Sequence, residues 1–103
     1  MLYASFWQAN YEKYPVHECA VICAKMMEKG VYPPPGVEVI GGPWLGTGGR
    51  GVTIFKAKDQ VAALNEYYVW ELEKPGFFKH QETIVIDNLA DGVGRTLAYK
   101  KVL

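Results

Sequence analysis

Residues 37–57 restrict the fold more than any other part of this 103-residue chain. Two apolar runs, at 37–40 and 52–57, flank a segment that is crowded with glycine and also holds Pro43, Trp44 and Leu45. Runs of β-branched residues on either side of a glycine-rich segment are typical of two strands joined by a loop. We therefore predict a central hairpin, with strands over 37–40 and 52–57 and a loop over 41–51.

The N-terminal part predicts a strand followed by a helix. Residues 2–7 place apolar side chains at both alternating sets of positions, as in a strand that is covered on both faces. Pro15 suits a first helical residue, because that position has no amide bond to lose, and Gly30 supplies a left-handed stop. The predicted inward stripe of this helix consists of Val16, Cys19, Ala20, Cys23 and Met27.

A second helix and a last strand follow the hairpin. Asp59 is a suitable N-cap, and Pro75 with Gly76 ends the helix. The predicted inward stripe is Val61, Leu64, Tyr68 and Leu72, with Asn65 inside the same sector. Trp70 points nearly the opposite way and would need a second surface to pack against. Residues 78–87 predict the fourth strand, and residues 95–103 suit either an edge strand or a short helix.

The order of these elements indicates an α+β fold of the ferredoxin-like type, βαββαβ. It has a four-stranded antiparallel sheet with two helices on one face. We expect this domain to cover residues 1–88, with a C-terminal tail of uncertain structure over 89–103. One sheet face stays uncovered, yet both parities of the first strand are apolar, with Leu2 and Phe6 on one face and Tyr3 and Trp7 on the other. We therefore predict a homodimer through the open sheet face, in the form of a dimeric α+β barrel.

Charge and cysteine content exclude several classes of function. Lysine plus arginine balances aspartate plus glutamate, 11 each, so the positive field that nucleic acid needs is missing. There is no apolar stretch of about 18 residues that would span a membrane. The two cysteines, Cys19 and Cys23, are four residues apart and suit reduced, buried thiols on one helix face. We expect a complete protein of the cytoplasm.

A set of short motifs is spread along the chain. They are Pro34-Pro35-Gly36-Val37-Glu38-Val39-Ile40-Gly41, Gly49-Arg50-Gly51-Val52, Asp59 with Ala62-Ala63-Leu64, Trp70, and Ile84-Val85-Ile86-Asp87. Together they resemble a family of small bacterial and archaeal domains of unknown function in the dimeric α+β barrel superfamily. The resemblance covers about residues 1–88 and implies a two-subunit barrel. It implies no particular activity, because that superfamily includes antibiotic-biosynthesis monooxygenases, muconolactone isomerases, chlorite dismutases, haem-degrading enzymes and members with no known chemistry.

Two motifs suggest sites that their context argues against. Residues 46–51 match the letters of the dinucleotide fingerprint G-x-G-x-x-G, but a strand follows them instead of the helix whose N-terminus would hold pyrophosphate. His17, Cys19 and Cys23 suggest metal ligands. However, His17 lies about 160° from Cys19 around a helix, so the three side chains do not converge. We expect neither a nucleotide nor a metal.

His80 and Glu82 are the candidate catalytic pair. In a regular strand they point to the same side as Ile84 and Ile86, which places an imidazole beside a carboxylate at the edge of the apolar core. Such a pair can move a proton near neutral pH. The alternative is a strand end that emerges into solvent, where both side chains are simply hydrated.

The haem-degrading relatives imply one more possibility. They use an asparagine, a tryptophan and a histidine, and Asn10, Trp70 and His80 offer the same residue types at a similar spacing. Pro75 and Gly76 break the helix before His80, so the histidine would not sit over a pocket in the same manner. We therefore expect no cofactor.

These observations favour a protein that binds a small hydrophobic or aromatic ligand in an apolar pocket. The candidate pocket residues are Tyr3, Ser5, Asn65, Tyr68, Trp70 and Trp44. The alternative is an enzyme, a cofactor-independent monooxygenase or isomerase, in which His80 acts with Glu82, Tyr3 or Asn65. The sequence alone leaves the ligand and any reaction open.

Overall fold

The computed structural model describes residues 1–102 of the chain, and the side chains of residues 1–100. The elements are β1 (Leu2–Ala9), α1 (Val16–Glu28), β2 (Val37–Leu45), a short 3₁₀ turn (Thr47–Gly49), β3 (Arg50–Ala57), α2 (Gln60–Glu73), β4 (Phe78–Ile86) and α3 (Leu89–Val102). The strands form one antiparallel sheet in the order β2-β3-β1-β4. The α+β class and the four-stranded antiparallel sheet are confirmed. The arrangement is compatible with the ferredoxin-like prediction, to which α3 is an addition.

Helices α1 and α2 cover the same face of the sheet, where the buried side chains form two clusters. Around α1, the cluster consists of Ala9, Cys19, Ile22, Met26, Tyr32, Trp70 and Phe77. Under the start of α2, the second cluster consists of Tyr3, Phe55, Ala57, Ala62 and Ala63. The rings of Tyr3 and Phe55 stack with centroids 5.3 Å apart. Because Trp70 of α2 belongs to the α1 cluster, the two helices share one layer.

The inward face of α1 is rotated from the predicted one. Cys19 is buried as expected, but Ile22 and Met26 are the other buried residues, whereas Ala20 and Met27 are exposed. Apolar side chains surround most of this helix, so their spacing alone defines more than one possible face. Ile22 has a larger apolar side chain than Ala20, so the face that buries Ile22 is the more favourable one.

The predicted face of α2 is wrong. Val61, Leu64, Tyr68 and Leu72 are exposed, and the buried residues are Ala62, Ala63, Glu66 and Trp70. Leu72 is 82% exposed and Trp70 only 6%. The alanines allow α2 to lie close to the sheet, and the Trp70 ring stacks on Phe77 with centroids 5.3 Å apart. A tryptophan that packs between aromatic rings buries a large apolar surface and adds favourable ring–ring contacts, which an aliphatic side chain such as Leu72 does not make.

Strand β2 is longer than predicted and the hairpin loop is shorter. The strand continues to Leu45, past Pro43, with register shifts around Gly41. A proline is tolerated there because β2 lies at the edge of the sheet, where a backbone amide has no neighbouring strand to bond. The remaining turn uses Gly48 and Gly49, at φ 72° and 74°.

Two predicted helix boundaries, the Asp59 cap of α2 and the Gly30 stop of α1, are confirmed. The Asp59 side chain accepts a hydrogen bond of 2.8 Å from the Ala62 amide, which caps α2. Gly30 has φ 70°, and Val31 beyond it bonds back to the Met26 carbonyl at 2.9 Å, which ends α1.

The face of the sheet away from the helices carries an apolar patch. Tyr3 and Trp7 lie on the helix side, so the patch comes from the other parity of β1 and from its neighbours. Phe6 is 47% exposed, and Ile84 is opposite Ala4 across β1 and β4. The Trp44 ring lies against Gly41, over the same face as Ile54.

The tail forms the helix α3. Of the two structures predicted for residues 95–103, an edge strand or a short helix, the described residues 95–102 adopt the helix. Arg95 pairs with Asp87 at the end of β4. Leu89 and Leu97 are exposed, so α3 leaves apolar surface uncovered. None of the helices up to residue 102 combines the length and apolar character that crossing a membrane requires.

Candidate functional site

A cavity of about 170 Å³ lies between the two helices α1 and α2 and the sheet. Seven of the residues that line it are aromatic: Trp7, Tyr11, Tyr32, Tyr67, Trp70, Phe77 and Phe78. An engineered protein cavity of about 150 Å³ is large enough to bind benzene. The cavity therefore has room for one aromatic ring with a small substituent.

Helix α2 and the turn after it build the aromatic wall. The Trp70 ring packs on Phe77 and on Tyr32, with centroids 5.3 Å and 5.0 Å apart. Gly76, at φ 75°, reverses the chain directly after α2, and this reversal brings Phe77 back under Trp70. Asn10 fixes the same turn, because its side-chain amide donates to the Gly76 carbonyl at 3.0 Å.

Glu66 is the one carboxyl group on the cavity wall among the described residues. It lies in the middle of α2 and is only 4% exposed. Its Oε2 accepts a hydrogen bond of 2.6 Å from the Tyr32 hydroxyl, whereas Oε1 is buried and has no hydrogen-bond partner. A buried acceptor without a partner costs about 1–3 kcal/mol, so most proteins avoid one.

The surroundings change the acid–base properties of both members of this pair. Burial raises the pKa of the Glu66 carboxyl, and the hydrogen bond from Tyr32, with a smaller effect of the nearby Ser5 hydroxyl, partly opposes that increase. Burial and the neighbouring Glu66 carboxyl raise the pKa of the Tyr32 hydroxyl. Tyr32 therefore keeps its proton and stays the donor, while Glu66 is the group that can gain or lose one.

The sheet supplies a polar floor beneath the carboxyl. Ser5 on β1 pairs in register with Thr53 on β3. The Gln81 side chain donates to the Ser5 hydroxyl at 3.1 Å, and the Trp7 indole donates to the Thr53 hydroxyl at 3.0 Å. The Trp7 ring lies directly over Gly51, where a β-carbon would collide with it. These bonds fix the hydroxyls that face α2.

The cavity meets solvent where the start of α1 faces the end of β2. Four of its lining residues are exposed there: Val16, Ala20, Pro43 and Leu45. The extension of β2 past Pro43 brings Leu45 to this position, so the longer strand helps to form the entrance. A small ligand would enter between two apolar edges.

No lysine, arginine or histidine lines the cavity in the part of the chain that the structure describes. The wall does include the two thiols, Cys19 and Cys23, and burial raises the pKa of both. Cys19 donates to the Tyr14 carbonyl at 3.0 Å. Both thiols are therefore protonated and poorly nucleophilic. Within the described residues, no group of three or more His, Cys, Asp or Glu side chains is placed to hold a metal ion.

Two of the six predicted pocket residues line the cavity, namely Ser5 and Trp70. The other four lie elsewhere: Tyr3 is buried under the start of α2, Asn65 is half-buried on α2, and Tyr68 and Trp44 are exposed.

The predicted catalytic pair lies away from the cavity. His80 and Glu82 are exposed and are opposite Gln8 and Phe6 in the sheet register, on the face without helices. Of the two predictions for His80 and Glu82, a catalytic pair or a strand end in solvent, these positions agree with the second. His80 is also separated from Trp70 by the sheet, so the haem-type set is not assembled around one pocket.

Glu66 and Tyr32 were not among the residues predicted from the sequence, although one signal for Glu66 was present. Ala62, Glu66 and Trp70 are spaced four residues apart and so share one helix face. Choosing the Trp70 face as the inward one would have placed a carboxyl in the core. No local pattern pointed to Tyr32, whose position depends on the proline-rich connector after α1.

Comparison of the chain with protein-family models, with curated proteins and with solved structures found no match.

Proposed function

We propose that the protein binds a small, largely apolar ligand containing one aromatic ring in the cavity between its helices and sheet. The observation that carries this proposal is the unpartnered Oε1 of Glu66 on the wall of an aromatic cavity. Binding sites for small molecules are typically apolar concavities with a few polar groups that fix orientation. Glu66, with Ser5 beside it, has that orienting role.

Ligand binding explains the cavity better than a packing defect does. Protein interiors are close-packed, and voids larger than a water molecule are few. This one adjoins a buried carboxyl oxygen that lacks a hydrogen bond, which adds a second unfavourable term at the same place. A ligand that fills the space and donates to Oε1 removes both terms.

Blocking the entrance tests this proposal. Ala20 is exposed and lines the cavity, and Ala24 is exposed on the same helix without lining it. We expect millimolar benzyl alcohol to raise the melting temperature of the wild type and of Ala24→Trp, and to have much less effect on Ala20→Trp. Equal effects on the two variants, or no effect on the wild type of this and other single-ring probes, would contradict the proposal.

The open sheet face supports the second part of the proposal, a homodimer in the form of a two-subunit α+β barrel. Phe6, Trp44 and Ile84 form an exposed apolar patch. Lys56 and Glu82 are exposed on the same face and have opposite charges, so this face does not carry charge of a single sign there. A monomer would leave this patch in water.

Sedimentation equilibrium tests the dimer. We expect a mass near twice the 11.5 kDa of one chain at micromolar concentration, and a shift toward one chain for Phe6→Glu. Leu72→Glu, on the outer side of α2, is the matched control and should keep the wild-type mass. A wild-type mass of one chain across the concentration range would refute the dimer.

A second candidate function is a cofactor-independent enzyme, an isomerase or monooxygenase, and the environment of Glu66 favours it over a purely structural role. Burial raises the pKa of the Glu66 carboxyl, and such a shift moves a carboxyl toward the range in which it can exchange a proton with a substrate as a general acid or base. In this candidate Glu66 replaces His80 as the proton-transfer group. Acetophenone in D₂O provides the test, because exchange of its methyl protons should be faster with the wild type than with Glu66→Gln. Equal rates would leave a binding module.

A further inference from the structure

One oxygen of Glu66 lacks a hydrogen-bond donor, whereas the donors around it are already paired with other acceptors. The Tyr32 proton goes to Oε2, the Gln81 amide donates to Ser5, and the Trp7 indole donates to Thr53. Oε1 of Glu66 is the acceptor that stays without a partner. A ligand group that supplies N–H or O–H donors satisfies Oε1, whereas a group with only acceptors does not.

Charge narrows the choice of ligand group further. The only acidic side chain on the described cavity wall is Glu66, and no basic side chain accompanies it. The other titratable side chains on the wall are tyrosines and cysteines, which are ordinarily neutral at pH 7: Tyr11, Tyr32, Tyr67, Cys19 and Cys23. An anionic ligand would meet a carboxyl with no cation to compensate. A cationic ligand would provide the missing counter-ion.

The geometry of the Tyr32 contact agrees with a carboxylate. Its O···O distance of 2.6 Å lies within the range of about 2.5–2.7 Å for hydroxyl donors to an ionised carboxyl. An ionised carboxyl that is buried without a counter-ion is strongly unfavourable, and a cation within the same cavity compensates it.

The aromatic wall suits a cation as well. Tyr32 and Trp70 pack at 5.0 Å beside Glu66, and Phe77 and Phe78 complete that side. The negative faces of aromatic rings attract organic cations, most strongly in desolvated sites, and aromatic cages bind ammonium ligands in this way.

We propose that the ligand of this cavity is a small primary amine, bound as its ammonium ion between the aromatic rings with Glu66 as counter-ion. The ammonium group donates to Oε1 and to the Ser5 hydroxyl, and its hydrocarbon part fills the rest of the cavity. This inference rests on the proposed function and adds the charge of the ligand to it. The volume of about 170 Å³ limits the ligand to roughly one ring and a short substituent.

Three ring compounds of nearly equal size and different charge provide the test: benzylamine, benzyl alcohol and benzoate. By titration calorimetry at pH 7 we expect the wild type to bind benzylamine at least tenfold more tightly than benzyl alcohol, and benzoate not at all. In Glu66→Gln the preference for the amine should fall at least tenfold. Glu73→Gln, an exposed change on the same helix, should retain it.

The pH dependence of binding gives a measurement that does not depend on a variant. Because only the ionised Glu66 carboxyl is a counter-ion for an ammonium group, the affinity of the wild type for benzylamine should fall as pH is lowered through the pKa of Glu66, whereas the affinity for benzyl alcohol should not. This measurement decides the matter if Glu66→Gln does not fold.

The outcomes separate the two proposals. Equal affinities for benzylamine and benzyl alcohol, or tighter binding of benzoate, would overturn the amine while ring binding in the cavity stands. Failure of all three compounds to bind would overturn both.

Discussion

Tyr32 donates a 2.6 Å hydrogen bond to Oε2 of Glu66, a residue 34 positions further along the chain. This bond ties the connector after α1 to the middle of α2, and it lies at the wall of the aromatic cavity. It also leaves Oε1 of Glu66 as the free acceptor, so one contact both stabilises the helix layer and shapes the candidate site.

Removing the Tyr32 hydroxyl tests the strength of that contact. In Tyr32→Phe both oxygens of Glu66 lack a partner, and we expect the free energy of unfolding to fall by about 1–3 kcal/mol. Tyr99→Phe, at an exposed position on α3, should change it by less than about 0.5 kcal/mol. Urea denaturation followed by circular dichroism measures both. Similar small changes in the two variants would show that the buried bond contributes little.

Glu66 should make stability depend on pH. Burial raises its pKa in the folded state above the unfolded value of about 4.3, so the folded protein binds this proton more strongly. The contribution of Glu66 to stability is therefore largest below about pH 4.3, falls as pH rises through the folded-state pKa, and is constant above it. In Glu66→Gln, the free energy of unfolding measured by urea titration should not show this fall between pH 4 and 8.

Glu73→Gln is the matched control for the pH series, because Glu73 is exposed near the end of the same helix. It should retain the wild-type pH dependence. A Glu66→Gln variant with the same slope as the wild type would show that another group is responsible.

The orientation of α2 predicts opposite outcomes for two neighbouring residues. Trp70→Ala removes a ring packed against Tyr32 and Phe77 and should lower the free energy of unfolding by about 3–5 kcal/mol. Leu72→Ala removes a side chain that is 82% exposed and should change it by less than about 0.5 kcal/mol in the monomer. A larger loss for Leu72→Ala, measured by urea denaturation below the concentration at which the chains associate, would mean that the helix faces the other way.

Gly51 should tolerate no side chain. A β-carbon there would collide with the Trp7 ring, so Gly51→Ala must displace the indole that bonds Thr53. We expect a loss of about 1–3 kcal/mol, as for other overpacked sites, with a change in tryptophan fluorescence. Gly46→Ala is the control, since its β-carbon would meet its nearest neighbour at 3.5 Å and its φ is −111°. Unchanged fluorescence and stability in Gly51→Ala would contradict the packing described.

Local chemistry in the sequence determined where several elements begin and end. The Asp59 carboxylate caps α2 and Gly30 ends α1, because each acts on backbone groups within a few residues of itself. The apolar residues of 2–7 and the β-branched residues at the end of 78–87 likewise predicted two strands, which the structure extends or shortens by a residue or two.

Only the tertiary structure decided which side of each helix is inside. Apolar residues occur on both sides of α2, and the choice between Trp70 and Leu72 depends on Phe77 and Tyr32, which reach Trp70 through the fold. The burial of Glu66, and with it the candidate site, follows from that choice. Likewise, Pro43 fits inside β2 only because that strand lies at the sheet edge. Burial is set by what lies across from a side chain, and residues distant in sequence supply those neighbours.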